Sequence, residues 1–123
     1  MNAVLKETQV MEAGAQDWVD VCALEDIVPY TGVCALVQAR QVAVFRLGNS
    51  DEVFAIDNRD PNSGANVLSR GIVGSLGDQV VVASPIYKHH FSLATGTCLE
   101  NPDASVRSYP ARVVRGRVLV ATG

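Results

Sequence analysis

Cysteine and histidine are scarce in this chain. Its 123 residues include three cysteines, which lie far apart in sequence, and two histidines, which are adjacent. Zinc ribbons and zinc knuckles need closely spaced cysteine pairs, so the sequence excludes them. An odd number of cysteines also argues against a disulfide framework. We therefore expect the cysteines to be small buried hydrophobic residues: Cys22, Cys34 and Cys98.

Positive charge, aromatic residues and long apolar runs are also in short supply. Lys and Arg number 10, Asp and Glu number 13, and aromatic residues make up 6% of the chain. This mildly acidic composition is a poor match for proteins that bind nucleic-acid phosphates. No apolar run approaches the roughly 20 residues of a membrane-spanning helix, and residues 1–16 lack the apolar stretch of a secretory signal. The expected location is therefore the cytoplasm.

Short β-prone segments separated by turn residues run through most of the chain. The apolar run 79–83 is too short for a buried helix and is rich in β-branched residues. Two pairs of such segments predict hairpins: 33–38 with 41–47, and 111–114 with 117–121. No stretch has a convincing helical period, which favours an all-β sandwich or barrel. The predicted domain spans residues 17–122, and a flexible N-terminal tail is predicted over residues 1–16.

The two ends of the chain carry opposite charge. Residues 1–26 contain six acidic residues against one lysine, whereas residues 104–123 contain four arginines and no acidic residue. One interpretation is that the two ends lie in the same sheet and neutralise each other across strands. The other is that the arginines form a basic edge that docks an acidic partner.

Two loops carry most of the functional information. The first reads Asp60-Pro61-Asn62-Ser63-Gly64-Ala65, and the second runs from Ser84-Pro85 to Thr95-Gly96. Both resemble the cluster-binding loops of Rieske-type domains, which read Cys-Pro-His-x-Gly-Ala and Cys-Pro-x-His-Gly-x-x-Phe-x-Leu-x-Thr-Gly. The resemblance implies an all-β, Rieske-like fold of three antiparallel sheets. In that family, the two cysteines and two histidines hold a [2Fe–2S] cluster.

All four cluster ligands are replaced in this sequence. Asp60 and Ser84 stand at the cysteine positions, and Asn62 and Tyr87 stand at the histidine positions. Iron–sulfur clusters need thiolate ligands, which neither an aspartate nor a serine supplies. We therefore predict that the chain binds no cluster and contains no catalytic, cofactor-binding or metal-binding residue.

Longer strings resemble one subgroup, the small subunits of assimilatory NAD(P)H-dependent nitrite reductases. These strings cover residues 58–65, 67–74, 84–91 and 95–100. The resemblance implies a large partner subunit that carries FAD, sirohaem and a [4Fe–4S] cluster and reduces nitrite to ammonium in nitrate assimilation. This chain would then be an accessory subunit. The alternatives are a cluster-free interaction module of another oxidoreductase and a Rieske-type ferredoxin that carries electrons.

The residues at the former ligand positions suggest a structural role. We hypothesise that some or all of Asp60, Asn62, Ser84 and Tyr87 hydrogen-bond across the gap and hold together two loops that a cluster would otherwise link. The alternative is that each polar side chain caps its own loop locally.

Basic residues near the loops form a candidate docking tip for the large subunit: Arg59, Arg70, Lys88, His89 and His90. Such a tip would contact the partner near the entrance for its anionic substrate. Two other interpretations of the histidine pair remain open. The imidazoles could relay protons, or they could lie on a strand with one ring in the core and the other at the surface.

Overall fold

The computed structural model of the protein describes residues 17–48 and 50–122. These residues form ten β-strands and three short 3₁₀ helices, with no α-helix among them. The strands make three antiparallel sheets, which confirms the predicted all-β architecture of three antiparallel sheets. The predicted flexible tail, residues 1–16, lies outside the described residues. Within the described ranges, no helix is long and apolar enough to cross a membrane.

The first sheet joins the two ends of the domain. It consists of β1 (Trp18–Ala23), β9 (Ala111–Val114) and β10 (Arg117–Ala121), with β10 in the middle. Strands β9 and β10 form one of the predicted hairpins. Nη2 of Arg117 lies 2.9 Å from Oδ1 of Asp20 on β1. The acidic and basic ends therefore meet across this sheet, as the first interpretation of the charge pattern predicts.

The second sheet lies in the middle of the fold. Its strands, in order, are β2 (Gly32–Val37), β3 (Arg40–Arg46), β4 (Val53–Asp57) and β8 (Ser108–Tyr109). The β2–β3 turn falls on Gln38 and Ala39, which have φ angles of 49° and 69°. The sequence pattern places this turn one residue later, at 39–40. Two successive positive φ angles match the twist of the paired strands, and this geometry sets Val37 opposite Arg40.

The third sheet carries the second loop. Its strands, in order, are β5 (Ile72–Leu76), β6 (Gln79–Ala83) and β7 (His90–Ser92). The first part of the second loop, residues 84–89, connects β6 to β7, whereas the first loop follows β4 of the second sheet. The two loops therefore come from different sheets and can be linked only by side-chain contacts or by a bound group.

Two apolar clusters fill the space between the sheets, and β3 contributes to both. Val42 and Val44 belong to the cluster shared with the first sheet, whereas Ala43 and Phe45 belong to the cluster shared with the third sheet. All four residues are fully buried because alternate side chains of a strand point to opposite faces. Phe91, on β7, packs in the cluster that contains Ala43 and Phe45.

Candidate functional site

The first loop, residues 60–65, is a tight turn closed by its own backbone. The Asp60 N–H donates to the Ala65 carbonyl at 2.8 Å, and the Gly64 N–H donates to the Asp60 carbonyl at 2.7 Å. Gly64 has a φ angle of 79°, a conformation that glycine adopts without steric cost. The turn is therefore stabilised by main-chain bonds and one glycine.

Asn58 anchors the first loop from inside the domain. The residue is 1% exposed. Its Oδ1 accepts the Ser69 N–H at 2.8 Å, and its Nδ2 donates to the Asn66 carbonyl at 3.2 Å. These bonds tie the start of the loop to the segment that follows it. The sequence gives no signal of this role, since asparagine is equally common in exposed turns.

The first part of the second loop, residues 84–89, is closed in a similar way. The Ser84 N–H donates to the His89 carbonyl at 2.9 Å, and the Lys88 N–H donates to the Ser84 carbonyl at 3.1 Å. Lys88 stands where the Rieske motif has glycine, and its φ angle is 63°. The left-handed turn of the motif is therefore present here with a residue for which that conformation is strained.

Asp60 and Ser84 link the two loops. The Ser84 hydroxyl donates to Oδ2 of Asp60 at 2.5 Å, and both residues are fully buried. Oδ1 of Asp60 accepts the Asn62 N–H at 2.8 Å, and Oγ of Ser84 accepts the Ile86 N–H at 3.3 Å. The residues at the two cysteine positions of the motif thus bond to each other across the gap. They also cap their own loops, so both interpretations of these polar side chains hold for this pair.

The residues at the two histidine positions do not contribute to this link. Tyr87 is 59% exposed in the middle of the second loop and makes no hydrogen bond to any described residue. The Nδ2 atom of Asn62 is buried and has no hydrogen-bond partner within the described part of the chain. The cross-loop hypothesis is therefore wrong for these two side chains. The phenol of Tyr87 projects into solvent, and Asp60 bonds the main chain of Asn62 instead of its amide group.

The residues at these four positions do not fit a [2Fe–2S] cluster. None of them supplies a thiolate, which the cluster irons require. The oxygens of Asp60 and Ser84 are engaged with each other, and the Tyr87 side chain is largely exposed. Across residues 17–48 and 50–122, no group of three or more His, Cys, Asp or Glu side chains is placed to hold a metal ion.

The three cysteines occupy different environments away from the loop pair. Cys98 is buried, as predicted, Cys22 is half-buried, and Cys34 is exposed. The prediction of burial is wrong for Cys34, because alternate residues of the edge strand β2 face solvent. Burial raises the pKa of the Cys22 thiol, which favours the protonated form over a metal-binding thiolate.

The five residues of the predicted docking tip fall into two groups. Arg59, Arg70 and Lys88 are exposed, whereas His89 and His90 are both half-buried. One interpretation placed one histidine ring in the core and the other at the surface. That interpretation is wrong, because both residues are half-buried. The exposed members of the predicted tip are therefore Arg59, Arg70 and Lys88.

His90 is bonded to Glu100, a residue that the loop motifs do not single out. Nδ1 of His90 lies 2.5 Å from Oε2 of Glu100, and the His90 N–H donates to Oε1 at 2.8 Å. Desolvation raises the pKa of the Glu100 carboxyl, but the hydrogen bonds from His90 outweigh it and lower this pKa below its ordinary value. These two hydrogen bonds link the start of β7 to the segment around residue 100. The His90 ring is therefore hydrogen-bonded to the Glu100 carboxyl.

Comparison with known proteins places these features in a family. A family model described as a Rieske-like [2Fe-2S] domain matches residues 17–121. The nitrite reductase (NADH) small subunit of Escherichia coli K12 is 48% identical over 101 residues, which cover 82% of this chain and 94% of that protein. The chain belongs to the nitrite reductase small-subunit family. The E. coli protein NirD, solved by NMR, superposes with a TM-score of 0.82 at 46% identity, covering 88% of this small subunit and 98% of NirD.

A region of a much larger protein also matches this small subunit. The nitrite reductase [NAD(P)H] large subunit of Klebsiella oxytoca is 40% identical over 106 residues, which cover 86% of this chain but 11% of that protein. Nearly the whole small-subunit domain therefore has a counterpart within the polypeptide of a large subunit.

Lys88→Gly is expected to raise the free energy of unfolding of this small subunit by about 1 kcal/mol, since a non-glycine residue in the left-handed region costs roughly 1–2 kcal/mol. Urea denaturation measures the change. Lys88→Ala is the matched control, because it removes the charge but keeps Cβ, and it should leave the stability unchanged. Equal stabilisation by both variants would show that the charge, and not the backbone conformation, is unfavourable.

Proposed function

We propose that this protein is the accessory subunit of a cytoplasmic, assimilatory nitrite reductase. In this role, it supports the NAD(P)H-dependent reduction of nitrite to ammonium in nitrate assimilation. The large subunit carries FAD, sirohaem and a [4Fe–4S] cluster, which supply the redox chemistry. The isolated small subunit is not expected to be catalytic.

The bond between Asp60 and Ser84 is the observation that carries the accessory role. An electron carrier of this fold needs thiolates at these two positions, and here a buried carboxylate and a hydroxyl occupy them and satisfy each other. The loops are thus held in shape by side chains that have no redox chemistry. This donor set argues against the ferredoxin alternative.

The relatives support the choice of partner. Small subunits of nitrite reductase match this chain over nearly their whole length, and a region of the Klebsiella large subunit matches it as well. A domain that also occurs within the large-subunit polypeptide is expected to work in contact with the large subunit. This argument favours nitrite reductase over an unrelated oxidoreductase as the host complex.

Co-purification with the large subunit tests the proposal. The full small subunit should bind the holo large subunit, and nitrite-dependent NADH or NADPH oxidation should be faster with it than without it. Iron and sulfide analysis of the pure small subunit should detect neither in stoichiometric amount. Stoichiometric iron and sulfide would contradict the accessory role in favour of an electron carrier, and failure to bind the large subunit would contradict the choice of partner.

The exposed cations of the docking tip give a second prediction. The double variant Arg70→Glu/Lys88→Glu is expected to weaken binding to the large subunit by about tenfold at low salt, with a smaller effect at high salt. Arg115→Glu is the matched control, because Arg115 is an exposed arginine on the β9–β10 turn of a different sheet. Fluorescence anisotropy of labelled small subunit measures the affinity. Equal binding by the double variant and the wild type would remove the tip from the interface.

A further inference from the structure

The outer strand of the third sheet lacks the usual protection of a sheet edge. β5 lies at one side of the sheet and contains neither a charged residue nor a proline. Its side chains Ile72 and Leu76 are 75% and 44% exposed and share one face of the strand. Soluble proteins commonly protect exposed edges with charges, prolines or bulges, because an open edge pairs readily with another chain. β5 is therefore a candidate for pairing with a partner strand.

The backbone of β5 offers free hydrogen-bonding groups along this edge. A two-residue turn joins β5 to β6, so Leu76 and Gln79 form the first hydrogen-bonded pair of the hairpin. Hydrogen-bonded and non-hydrogen-bonded pairs alternate from there, which directs the N–H and C=O groups of Val73 and Ser75 away from β6. Neither residue makes a backbone hydrogen bond to a described segment outside the sheet. An added strand can therefore hydrogen-bond to two N–H donors and two C=O acceptors along this edge, those of Val73 and Ser75.

A cleft of about 390 Å³ runs beside the same edge. Its lining includes Val73, Ser75 and Val80 on the third sheet, and Tyr30, Leu47 and Glu52 from other segments. Glu52 is the one charged side chain among the described residues that line the cleft, and it has no ion-pair partner among them. The charge of the cleft therefore favours a basic side chain.

One residue that lines the cleft, Tyr30, has a strained backbone. Tyr30 has a φ angle of 65°, its N–H donates to the Arg46 carbonyl at 2.7 Å, and its side chain is largely exposed. Opposite its ring, Gly48 leaves little room, because a Cβ there would lie 3.1 Å from the Tyr30 hydroxyl. A bulky residue in the left-handed region costs free energy, and such residues are concentrated at functional sites.

We propose that an extended segment of the nitrite reductase large subunit adds to β5 as a fourth strand of the third sheet. Successive side chains of that segment alternate between two faces. Apolar side chains on one face cover Ile72 and Leu76, and a Lys or Arg on the other face enters the cleft and pairs with Glu52. The surface is continuous with the proposed docking tip, since Arg70 lies two residues before β5. This inference rests on the proposed function and specifies where the partner binds.

Ser75→Pro tests strand addition directly. Proline removes an N–H that points to the free edge and leaves the ladder to β6 intact, so the small subunit should fold normally. The affinity for the holo large subunit should fall at least about tenfold. Ile72→Lys, which places a charge on an exposed apolar position of the same edge, should have a similar effect. Leu36→Lys is the matched control, because Leu36 is 71% exposed on β2, and it should bind like the wild type.

Hydrogen exchange supplies a readout that does not depend on variants. The amide protons of Val73 and Ser75 should exchange at least about tenfold more slowly in the complex than in the free small subunit. Glu52→Lys should weaken the complex, whereas Glu25→Lys, at another exposed acidic residue, should not. Suppose that the wild type binds the large subunit, but exchange at β5 does not change and Ser75→Pro and Ile72→Lys bind with unchanged affinity. This result would overturn strand addition but not the proposed function.

Two further outcomes would overturn the inference in different ways. If the wild-type small subunit does not bind the large subunit, the proposed function is wrong. The assignment of a large-subunit segment to β5 is then wrong as well. If the small subunit dimerises in sedimentation experiments and Ser75→Pro abolishes only the dimer, the occupant of β5 is a second copy of this chain.

Discussion

Asp60→Ala is expected to lower the free energy of unfolding by about 3 kcal/mol. The substitution removes the acceptor of both the buried Ser84 hydroxyl and the part-buried Asn62 N–H, and it leaves both donors without this partner. Each unpaired buried donor costs roughly 1–3 kcal/mol, and the bonds that are lost involve a carboxylate. Urea denaturation followed by circular dichroism measures the change.

Two other variants show whether the loss comes from the link between the loops. Ser84→Ala should cost about 2 kcal/mol, and the double variant with Asp60→Ala should cost at least about 1 kcal/mol less than the sum of the two single changes. Tyr87→Phe is the control and should change stability by less than about 0.5 kcal/mol, because its hydroxyl is not bonded to any described residue. If Asp60→Ala is as mild as Tyr87→Phe, the loops are held together by something else.

Gly96→Ala is expected to be the most damaging single methyl addition at the site, with a loss of about 4 kcal/mol. Gly96 has a φ angle of 82°, and a Cβ there would lie 2.1 Å from the Val106 carbonyl oxygen. The left-handed conformation costs roughly 1–2 kcal/mol for alanine, and relief of the overlap costs about 1–3 kcal/mol more. The Val106 N–H donates to the Gly96 carbonyl at 2.9 Å, so the two segments cannot separate without breaking this bond.

Gly116→Ala separates the two causes of this loss. Gly116 has a φ angle of 76°, but a Cβ there would meet nothing within 4 Å. Gly116→Ala should therefore lower the free energy of unfolding by about 1–2 kcal/mol, which is the cost of the left-handed conformation alone. If Gly96→Ala does not accumulate, its soluble yield is compared with that of Gly116→Ala. Equal effects of the two substitutions would show that the close approach to Val106 is unimportant.

Local signals explain why most of the strands are predictable from the sequence. The β9–β10 hairpin follows from two apolar runs on either side of Arg115-Gly116, and the run 79–83 coincides with β6. The two loops are also predictable, since their proline and glycine positions define turns by themselves. The one-residue error at Gln38 also has a local cause, because Gln38 and Ala39 take positive φ angles although neither is a residue that favours such a turn, so the sequence gives no turn signal there.

Contacts between distant segments are not predictable in this way. Nothing in the loop motif shows that Glu100 bonds His90, because the two residues meet only when the chain returns after Gly96. The same limit applies to the former ligand positions. The bond between Asp60 and Ser84 depends on how two sheets approach each other, and the exposure of Tyr87 depends on the direction in which its loop projects.

The direct bond between the two loops changes what the cell must supply for this protein to mature. A metal-clamped version of the same scaffold is complete only after a separate assembly system has inserted iron and sulfide. Here, the clamp is encoded in two side chains and forms when the chain folds. The small subunit can therefore reach its final shape without a supply of iron and sulfide.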